Sequence, residues 1–233
     1  MSHAEMAAGE VEALRAELRR RDDLLRMMAH DLKTPLTALG LQMPALDGTP
    51  AQRERARRVL DRNIRRLAAM LDDFLDMVRL NADALVLHRT PMDLAETVED
   101  VAESHAALAH DAGLTMLVRT QEGLHLEADE RRVHQVLVNL VSNAIRYTPK
   151  GGAIELRADL DGPHARVVVR DDGNGMDEEQ QARLFQPFGN GPSPPDGSCG
   201  LGLYLARAVA ASHGGSLEVR SPGLGQGTTA TLR

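Results

Sequence analysis

The first third of the chain carries apolar residues at heptad spacing. Leu14 and Met28 lie three residues after members of a row with seven-residue intervals, which consists of Val11, Leu18, Leu25, Leu32 and Leu39. This a/d pattern is typical of helices that pack side by side, and we predict one long helix over residues 10–43. In this register His30 lies opposite the apolar seam. Pro35 should kink or loosen the helix beside it, because its ring crowds the carbonyl of residue 31.

A second apolar stripe follows a turn at Asp47–Pro50. Thr49 is a good N-cap and Pro50 suits the first helical position, so we predict a second helix over Pro50–Asn81. Its apolar residues recur at spacings of four and three: Leu60, Ile64, Leu67, Leu71, Phe74 and Val78. A short turn between two striped helices predicts an antiparallel hairpin. Because two hairpins from two chains can close a four-helix bundle, we expect a homodimer.

Beyond about residue 85 the pattern changes to short strands mixed with helices. The predicted helices are 93–110, 130–146, 178–185 and 201–213, and the predicted strands are 114–119, 125–127, 153–160, 165–170, 216–220 and 228–232. Two of the strands form a hairpin through Asp161-Gly162-Pro163, so strict alternation of strand and helix is absent. The fold class is therefore α+β: a helical hairpin in a dimeric four-helix bundle, then a sandwich with helices on one face of a mixed sheet.

Composition and charge narrow the function classes. Apolar residues make up 42% of the 233, enough for a sizeable core, while the net charge of −7 argues against nucleic-acid binding. Residues 1–90 carry 15 Lys+Arg and 14 Asp+Glu, so the acidic excess lies in the second half. The single cysteine, Cys199, excludes an intrachain disulfide. With no signal-peptide pattern and no apolar run of about 18–20 residues, we expect a cytoplasmic chain without a membrane span.

His30 is the first candidate for chemistry. An exposed neutral imidazole is a competent nucleophile, and a neighbouring carboxylate such as Asp31 can accept its other ring proton and raise its basicity. The alternative is an ordinary solvated histidine beside a solvated aspartate. Arginines at positions 53, 55, 57, 58, 62, 65 and 66 lie on or beside the polar face of the second helix. They form either a solvated face or a docking patch for an acidic partner.

Two asparagines on one helix face form the second candidate. Asn139 and Asn143 are four residues apart, and Arg146 and Tyr147 continue the same side. Amides on an otherwise apolar helix are costly to bury unless they bind something, and a side-chain amide oxygen can ligate Mg²⁺ while phosphates supply other ligands. The alternative is a pair of amides that bond to nearby backbone.

Glycine-rich stretches form the third candidate. Asp171-Asp-Gly173-Asn-Gly175-Met176 follows a strand, and a carboxylate at a strand end can accept a bond from an amino group such as that of adenine. Gly197-Ser-Cys-Gly200-Leu201-Gly202-Leu203 opens a helix, whose N-terminal amides can bind phosphate. Gly225-Gln-Gly227-Thr228 alone predicts only a turn. The alternatives are an ordinary strand-ending turn and a helix-start packing motif.

The order of these stretches is more specific than any one of them. The chain resembles the sensor histidine kinases of two-component signalling over about residues 20–233. The stretch from His30 to Leu36 looks like the H box, and the later motifs look like the N, G1, F, G2 and final glycine boxes: Asn139–Tyr147, Asp171–Met176, Leu184–Phe188, Gly200–Leu203 and Gly225–Thr228. The resemblance implies a lead-in at 1–26, a dimerisation and phosphotransfer domain at 27–84 and an ATP-binding domain of GHKL type at 85–233.

The resemblance also implies roles for single residues. His30 would accept the γ-phosphoryl group of ATP, Asp31 would orient its ring, and Thr34 would serve a phosphatase activity toward the response regulator. Asn143 would ligate Mg²⁺ with Asn139 close by. Contacts to the nucleotide are implied for Arg146, Tyr147, Asp171, Gly173, Gly175, Gly200, Leu201, Gly202, Leu203 and Thr228. The phosphoryl group would then pass to an aspartate of a response-regulator receiver domain.

Two departures from the family pattern keep alternatives open. Residues 186–206 contain no Lys or Arg, where many relatives carry a basic residue, so a dimeric ATP-binding scaffold or phosphatase with little autokinase activity is the second hypothesis. A GHKL-type ATPase related to gyrase is the third, and the H-box hairpin argues against it. Only about 25 residues precede the H box, so we expect the sensor domain to lie outside this chain or in a partner protein.

Overall fold

The computed structural model describes residue 26 and residues 28–30, 32–81, 86–187 and 200–233. Asp31, the predicted lead-in up to residue 25 and residues 188–199 lie outside these residues, and so does Phe188 of the predicted F box. The described chain divides into two compact units, one up to Asp72 and one from Asp73 onward. No helix in the described part has the length and apolarity needed to cross a membrane.

The first unit contains the two helices that were predicted to form the hairpin. Helix α1 includes residues 32–42 and passes Pro35 without interruption, then tightens into a 3₁₀ turn at Met43–Asp47. Helix α2 covers Pro50–Asn81, the predicted range, and its last turns belong to the second unit. It begins at a reciprocal cap: Gln52 N donates to Thr49 Oγ1 at 3.4 Å and Thr49 N donates to Gln52 Oε1 at 2.7 Å. This capping box satisfies two backbone donors and explains where α2 starts.

Part of the apolar stripe of α2 is exposed in the described portion of the chain. Ile64 is 56% exposed and Leu71 is 52% exposed, although both occupy the predicted stripe. Exposed apolar residues at heptad spacing are typical of a helix that packs against a further helix. The prediction of a homodimer remains consistent with this unit.

The second unit is a mixed sheet with helices on one face, as predicted. Its five strands lie in the order β2-β4-β5-β7-β6; β2 pairs with β4 in parallel and the other pairs are antiparallel. Helices α3, α4 and α6 pack against the sheet. The strands are β1 Thr90–Asp93, β2 Thr115–Thr120, β3 His125–Ala128, β4 Ala153–Asp161, β5 His164–Asp171, β6 Leu217–Arg220 and β7 Thr228–Leu232. The helices are α3 Leu94–Asp111, α4 Glu130–Tyr147, α5 Glu178–Arg183 and α6 Gly202–Ser212.

Two details differ from the prediction. Strand β1 pairs with β3 in a separate two-stranded ribbon, and four residues that include a proline gave no alternating pattern by which to find it. Helix α5 ends at Arg183, two residues short of the predicted Phe185, since the N–H of Leu184 already bonds at three-residue spacing to Gln181. In the second unit, the other element boundaries match within one or two residues.

The core lies between the helices and the inner face of the sheet. Ile154, Leu156 and Ala158 of β4 are buried, and Val167 and Val169 of β5 continue the same face. Since side chains alternate along a strand, the next inward residue of β5 is Asp171 at the strand's end. The alternation that builds the core therefore also carries a carboxylate to its edge.

Candidate functional site

A cavity of about 510 Å³ lies at the edge of the core, where β5 ends. Helix α4, helix α5 and the loop between β6 and β7 form its walls. Six of the predicted site residues line it: Asn143, Tyr147, Asp171, Gly175, Leu203 and Thr228. The structure thus brings together residues that are up to 85 positions apart in the sequence. The cavity falls within the usual volume range of small-molecule sites.

Asp171 places a buried carboxyl group in the lining of the cavity. It is 8% exposed, and its Oδ1 accepts hydrogen bonds from Gly173 N at 2.9 Å and Thr228 N at 3.2 Å. Burial raises the pKa of the Asp171 carboxyl; the two backbone donors oppose that rise and neighbouring Asp172 adds to it. Within the described residues no donor reaches Oδ2 of Asp171, so that oxygen can accept a hydrogen bond from a ligand.

The two glycine-containing loops beside Asp171 cross closely. Gly227 N donates to Gly173 O at 3.0 Å, and Gly225 N donates to Asn174 O at 2.6 Å. At Gly175 the backbone has φ +62°, and a Cβ there would overlap the carbonyl oxygen of Gly223. Only glycine combines this dihedral angle with so close an approach. The glycine pattern therefore holds the floor of the cavity in shape.

Asn139 and Asn143 form a pair on α4. Asn143 Nδ2 donates to Asn139 Oδ1 at 3.1 Å, which leaves the Oδ1 of Asn143 as an acceptor at the cavity wall. A Cβ on Gly202 would overlap the Asn139 amide, so α6 begins against this pair. Aspartate supplies the cap that starts α4, since Asp129 accepts from Arg132 N at 3.1 Å. The capped helix gives both amides a fixed position.

The remaining predicted residues surround the cavity. The Arg146 guanidinium lies 5.1 Å from the centre of the Tyr147 ring, a cation–π geometry. Gly200 has φ +62° and Leu201 is buried at the start of α6. Gly173 lies directly behind the cavity, where a Cβ would come within 2.5 Å of the Tyr147 carbonyl oxygen. Apart from Tyr147, none of these residues is among those that line the cavity.

The histidine site lies in the first unit. His30 and Thr34 are helical and exposed, as the heptad register predicts for His30. Asp31 lies outside the described residues, so its predicted role beside the imidazole stays a prediction.

Several cavity residues escaped the sequence analysis. Helix α5 contributes Glu179, Gln180 and Arg183, and Leu224 lies opposite them. The sequence does carry a signal for α5: Asp177 accepts from Gln180 N at 2.8 Å and Gln180 Oε1 accepts from Asp177 N at 3.0 Å, a capping box. Leu224 has no comparable signal, because it lies in a turn without periodicity.

Comparison with known proteins places both units. Residues 128–233 match the family model "Histidine kinase-, DNA gyrase B-, and HSP90-like ATPase", and residues 20–83 match the model "His Kinase A (phospho-acceptor) domain". The chain therefore carries an ATPase domain of this class, joined in sequence to a phospho-acceptor domain. The chain belongs to the sensor histidine kinases of two-component signalling.

Individual relatives agree with this assignment. The sensor protein kinase PmrB of Pseudomonas aeruginosa is 32% identical over 93% of this chain and 45% of its own length. The sensor-like histidine kinase SenX3 of Mycobacterium tuberculosis is 31% identical over 91% of this chain and 53% of its own. The chain therefore spans about half the length of these curated relatives.

Solved structures share the fold. Full-length ShkA in complex with AMPPNP is 28% identical in sequence to this chain. The match covers 91% of this chain and 45% of the ShkA chain, with a TM-score of 0.67. The Acinetobacter baumannii histidine kinase AdeS has a TM-score of 0.69 at 22% identity and covers 87% of this chain and 95% of its own. The α+β fold class is confirmed by these likenesses.

Proposed function

We propose that this chain is an ATP-dependent protein histidine kinase that phosphorylates its own His30. The imidazole nitrogen of His30 forms a P–N bond as the γ-phosphorus separates from its bridging oxygen, and ADP leaves. The observation that carries the proposal is the buried Asp171 carboxylate in a nucleotide-sized cavity, in a chain whose other unit exposes His30. Binding of AMPPNP by the relative ShkA supports ATP as the phosphoryl donor.

The predicted site residues form two groups, one for each end of the nucleotide. Oδ2 of Asp171 accepts a hydrogen bond from the exocyclic amino group of adenine, and the Tyr147 ring packs against the base. Arg146, together with the backbone at Gly200–Leu203, binds the phosphates, since helix N-termini carry free amides. Because phosphoryl transfer depends on position and charge neutralisation, this set of residues suits the reaction.

The donor set fits Mg²⁺ as the accompanying metal. Among the described residues no three His, Cys, Asp or Glu side chains group into a metal site of their own. The free amide oxygen of Asn143 is instead a ligand type that Mg²⁺ accepts together with phosphate oxygens. When bound, the ion neutralises phosphate charge. Asn139 holds the Asn143 amide in place.

Partners follow from the same proposal. The exposed stripe at Ile64 and Leu71 supports a homodimer through a four-helix bundle. A response-regulator receiver domain takes the phosphoryl group on an aspartate. A sensor domain outside this chain, or a separate protein, supplies the signal, and the reaction takes place in the cytoplasm.

A second function has one observation in its favour. Residues 186–206 carry no Lys or Arg, so within this stretch no cationic side chain can neutralise the phosphates. A dimeric ATP-binding scaffold, or a phosphatase that uses the exposed Thr34, would not need that charge.

The deciding experiment is incubation with γ-labelled ATP and Mg²⁺, beside His30→Gln and Asn143→Ala. The proposal predicts label on the parent and on neither variant, with His30→Gln still able to bind nucleotide by calorimetry. Nucleotide binding without label, combined with dephosphorylation of a receiver domain, supports the scaffold or phosphatase. No binding at all refutes both functions.

A further inference from the structure

A buried ion pair lies away from the nucleotide cavity, at the base of α4. Arg132 Nη1 donates to Asp76 Oδ2, and Gln135 Nε2 donates to the same oxygen at 3.2 Å. Arg132 is 2% exposed and Asp76 is 6% exposed. Burial opposes ionisation of Asp76, but the bonds from Arg132 and Gln135 outweigh it and lower the pKa of the carboxyl. The Asp76 carboxyl is therefore ionised at neutral pH.

The ion pair joins the last turns of α2 to α4 within the nucleotide-binding unit. That unit begins at Asp73, so Asp76 is one of its own residues although it lies on α2. Removing two charges from water costs several kcal/mol per ion, which their attraction only roughly offsets. In addition, Arg132 Nε is buried and has no hydrogen-bond partner among the residues that the structure describes. A net gain in folding stability therefore explains this buried pair poorly. A role in fixing the geometry between α2 and α4 explains it better.

Asp129 adds a second connection at the same place. Its Oδ2 accepts from His88 N at 3.0 Å, in the segment that follows α2, while Oδ1 caps α4. Its own N–H donates to His213 Nε2 at 3.0 Å, just beyond α6. Arg89 of the same segment donates to the carbonyl oxygen of Ser212 at 3.0 Å.

Helices α4 and α6 both connect this cluster to the cavity. Arg132 lies in the first turn of α4 and Asn143 lies eleven residues further, which is about 16 Å along a helix. Helix α6 starts beside Asn139 at Gly202 and ends at Ser212. The cluster therefore lies on the same rigid helices as the cavity without belonging to its lining.

We propose that Asp76, Arg132, Gln135 and Asp129 form a clamp that fixes how α2 enters the nucleotide-binding unit, and that these are positioning residues for phosphoryl transfer. The clamp acts on the rate of transfer and leaves nucleotide affinity unchanged, because none of its members lines the cavity. This inference rests on the proposed function.

The test compares Asp76→Asn with Arg132→Gln, Arg132→Lys and the paired variant that carries both Asp76→Asn and Arg132→Gln. Autophosphorylation kcat, the KM for ATP, the Kd for a non-hydrolysable ATP analogue and Tm are measured for each full chain. Asp161→Asn is the matched control, since Asp161 forms an ion pair with Arg233 at the surface of the same unit.

The clamp predicts a drop in kcat of about tenfold or more in Asp76→Asn and in Arg132→Gln, because small displacements of reacting groups have large effects on rate. KM and Kd stay within about twofold of the parent, since lost contacts outside the cavity do not alter binding. Arg132→Lys recovers part of the rate relative to Arg132→Gln. The paired variant, which leaves no unpaired buried charge, regains Tm but not kcat.

Three outcomes overturn the clamp: a paired variant with the kcat of the parent, a kcat that rises, or a parallel loss of nucleotide affinity. If the parent forms no phosphohistidine, the proposed function fails, and the clamp is tested by hydrogen exchange. Faster exchange at residues 73–81 and 86–93 in the paired variant supports it. Unchanged exchange there refutes it.

Discussion

Asp171→Asn is the sharpest change for testing how the cavity recognises its nucleotide. The side chains have nearly the same shape, but one oxygen becomes an NH₂ group. Gly173 N and Thr228 N both donate to Oδ1, so the remaining oxygen of the asparagine will take that place. The new Nδ2 then faces the exocyclic amino group of adenine, and a donor meets a donor.

The magnitude follows from the bond that is lost. Hydrogen bonds to charged groups contribute about 1.5–3 kcal/mol, and about 1.4 kcal/mol is a factor of ten in affinity. ATP should therefore bind about ten- to a hundredfold more weakly to Asp171→Asn. Inosine triphosphate carries an oxygen in place of the amino group and can accept from Nδ2. Its affinity should rise relative to that of ATP.

The assay is calorimetric titration of parent and variant with both nucleotides, at equal Mg²⁺. Asp172→Asn is the control: its carboxylate is exposed, accepts from Ala153 N at 2.8 Å and does not line the cavity. An unchanged ratio of the two affinities in Asp171→Asn would refute the reasoning.

The pH dependence of binding gives the same carboxyl a second test. Burial raises the pKa of Asp171 above its ordinary value of 3.8, so the carboxylate protonates earlier than a free one as pH falls. Protonation makes that oxygen a donor, so ATP affinity of the parent should fall in acid, starting above pH 3.8. Asp171→Asn has no such group and should show a flatter profile.

Three further predictions concern other parts of the chain. Gly202→Ala should weaken ATP binding by about 1–3 kcal/mol on calorimetry, because its Cβ overlaps the Asn139 amide; unchanged affinity contradicts the packing. Asp159→Asn should lower the free energy of unfolding by less than about 1 kcal/mol, because the bond from Arg166 holds the carboxyl pKa below 3.8. That difference is present above pH 3.8 and is lost as the pH falls below it, so pH-dependent urea unfolding checks it. Ile64→Asp should convert a dimer to monomers by light scattering, since Ile64 lies on the exposed stripe.

Much of the fold could be predicted because local signals agreed with tertiary packing. Thr49 and Asp93 marked helix starts that the structure confirms through their hydrogen bonds. Asp171 was predicted as a carboxylate at a strand end, and in the structure it continues the buried face of β5. Where no periodicity existed, as in the four residues of β1, the strand depended on its partner β3 and could not be found locally.

The candidate site divides in the same way. Asn139 and Asn143 could be paired from their spacing alone, and the structure joins them by a hydrogen bond. The bond between Asp76 and Arg132 could not be predicted, because its partners are 56 positions apart. From sequence alone, each is expected to be a charged side chain on the exposed face of a helix. Their burial depends on how α2 and α4 meet, which composition and periodicity do not encode.

The most direct test of the central claim is to locate the phosphoryl group after reaction of the full chain with ATP and Mg²⁺. Peptide mapping under neutral conditions should find phosphate on His30, in an acid-labile, base-stable form typical of a P–N bond. The His30→Gln variant should carry none. An acid-stable phosphate, or phosphate on any other residue that persists in His30→Gln, would contradict the account.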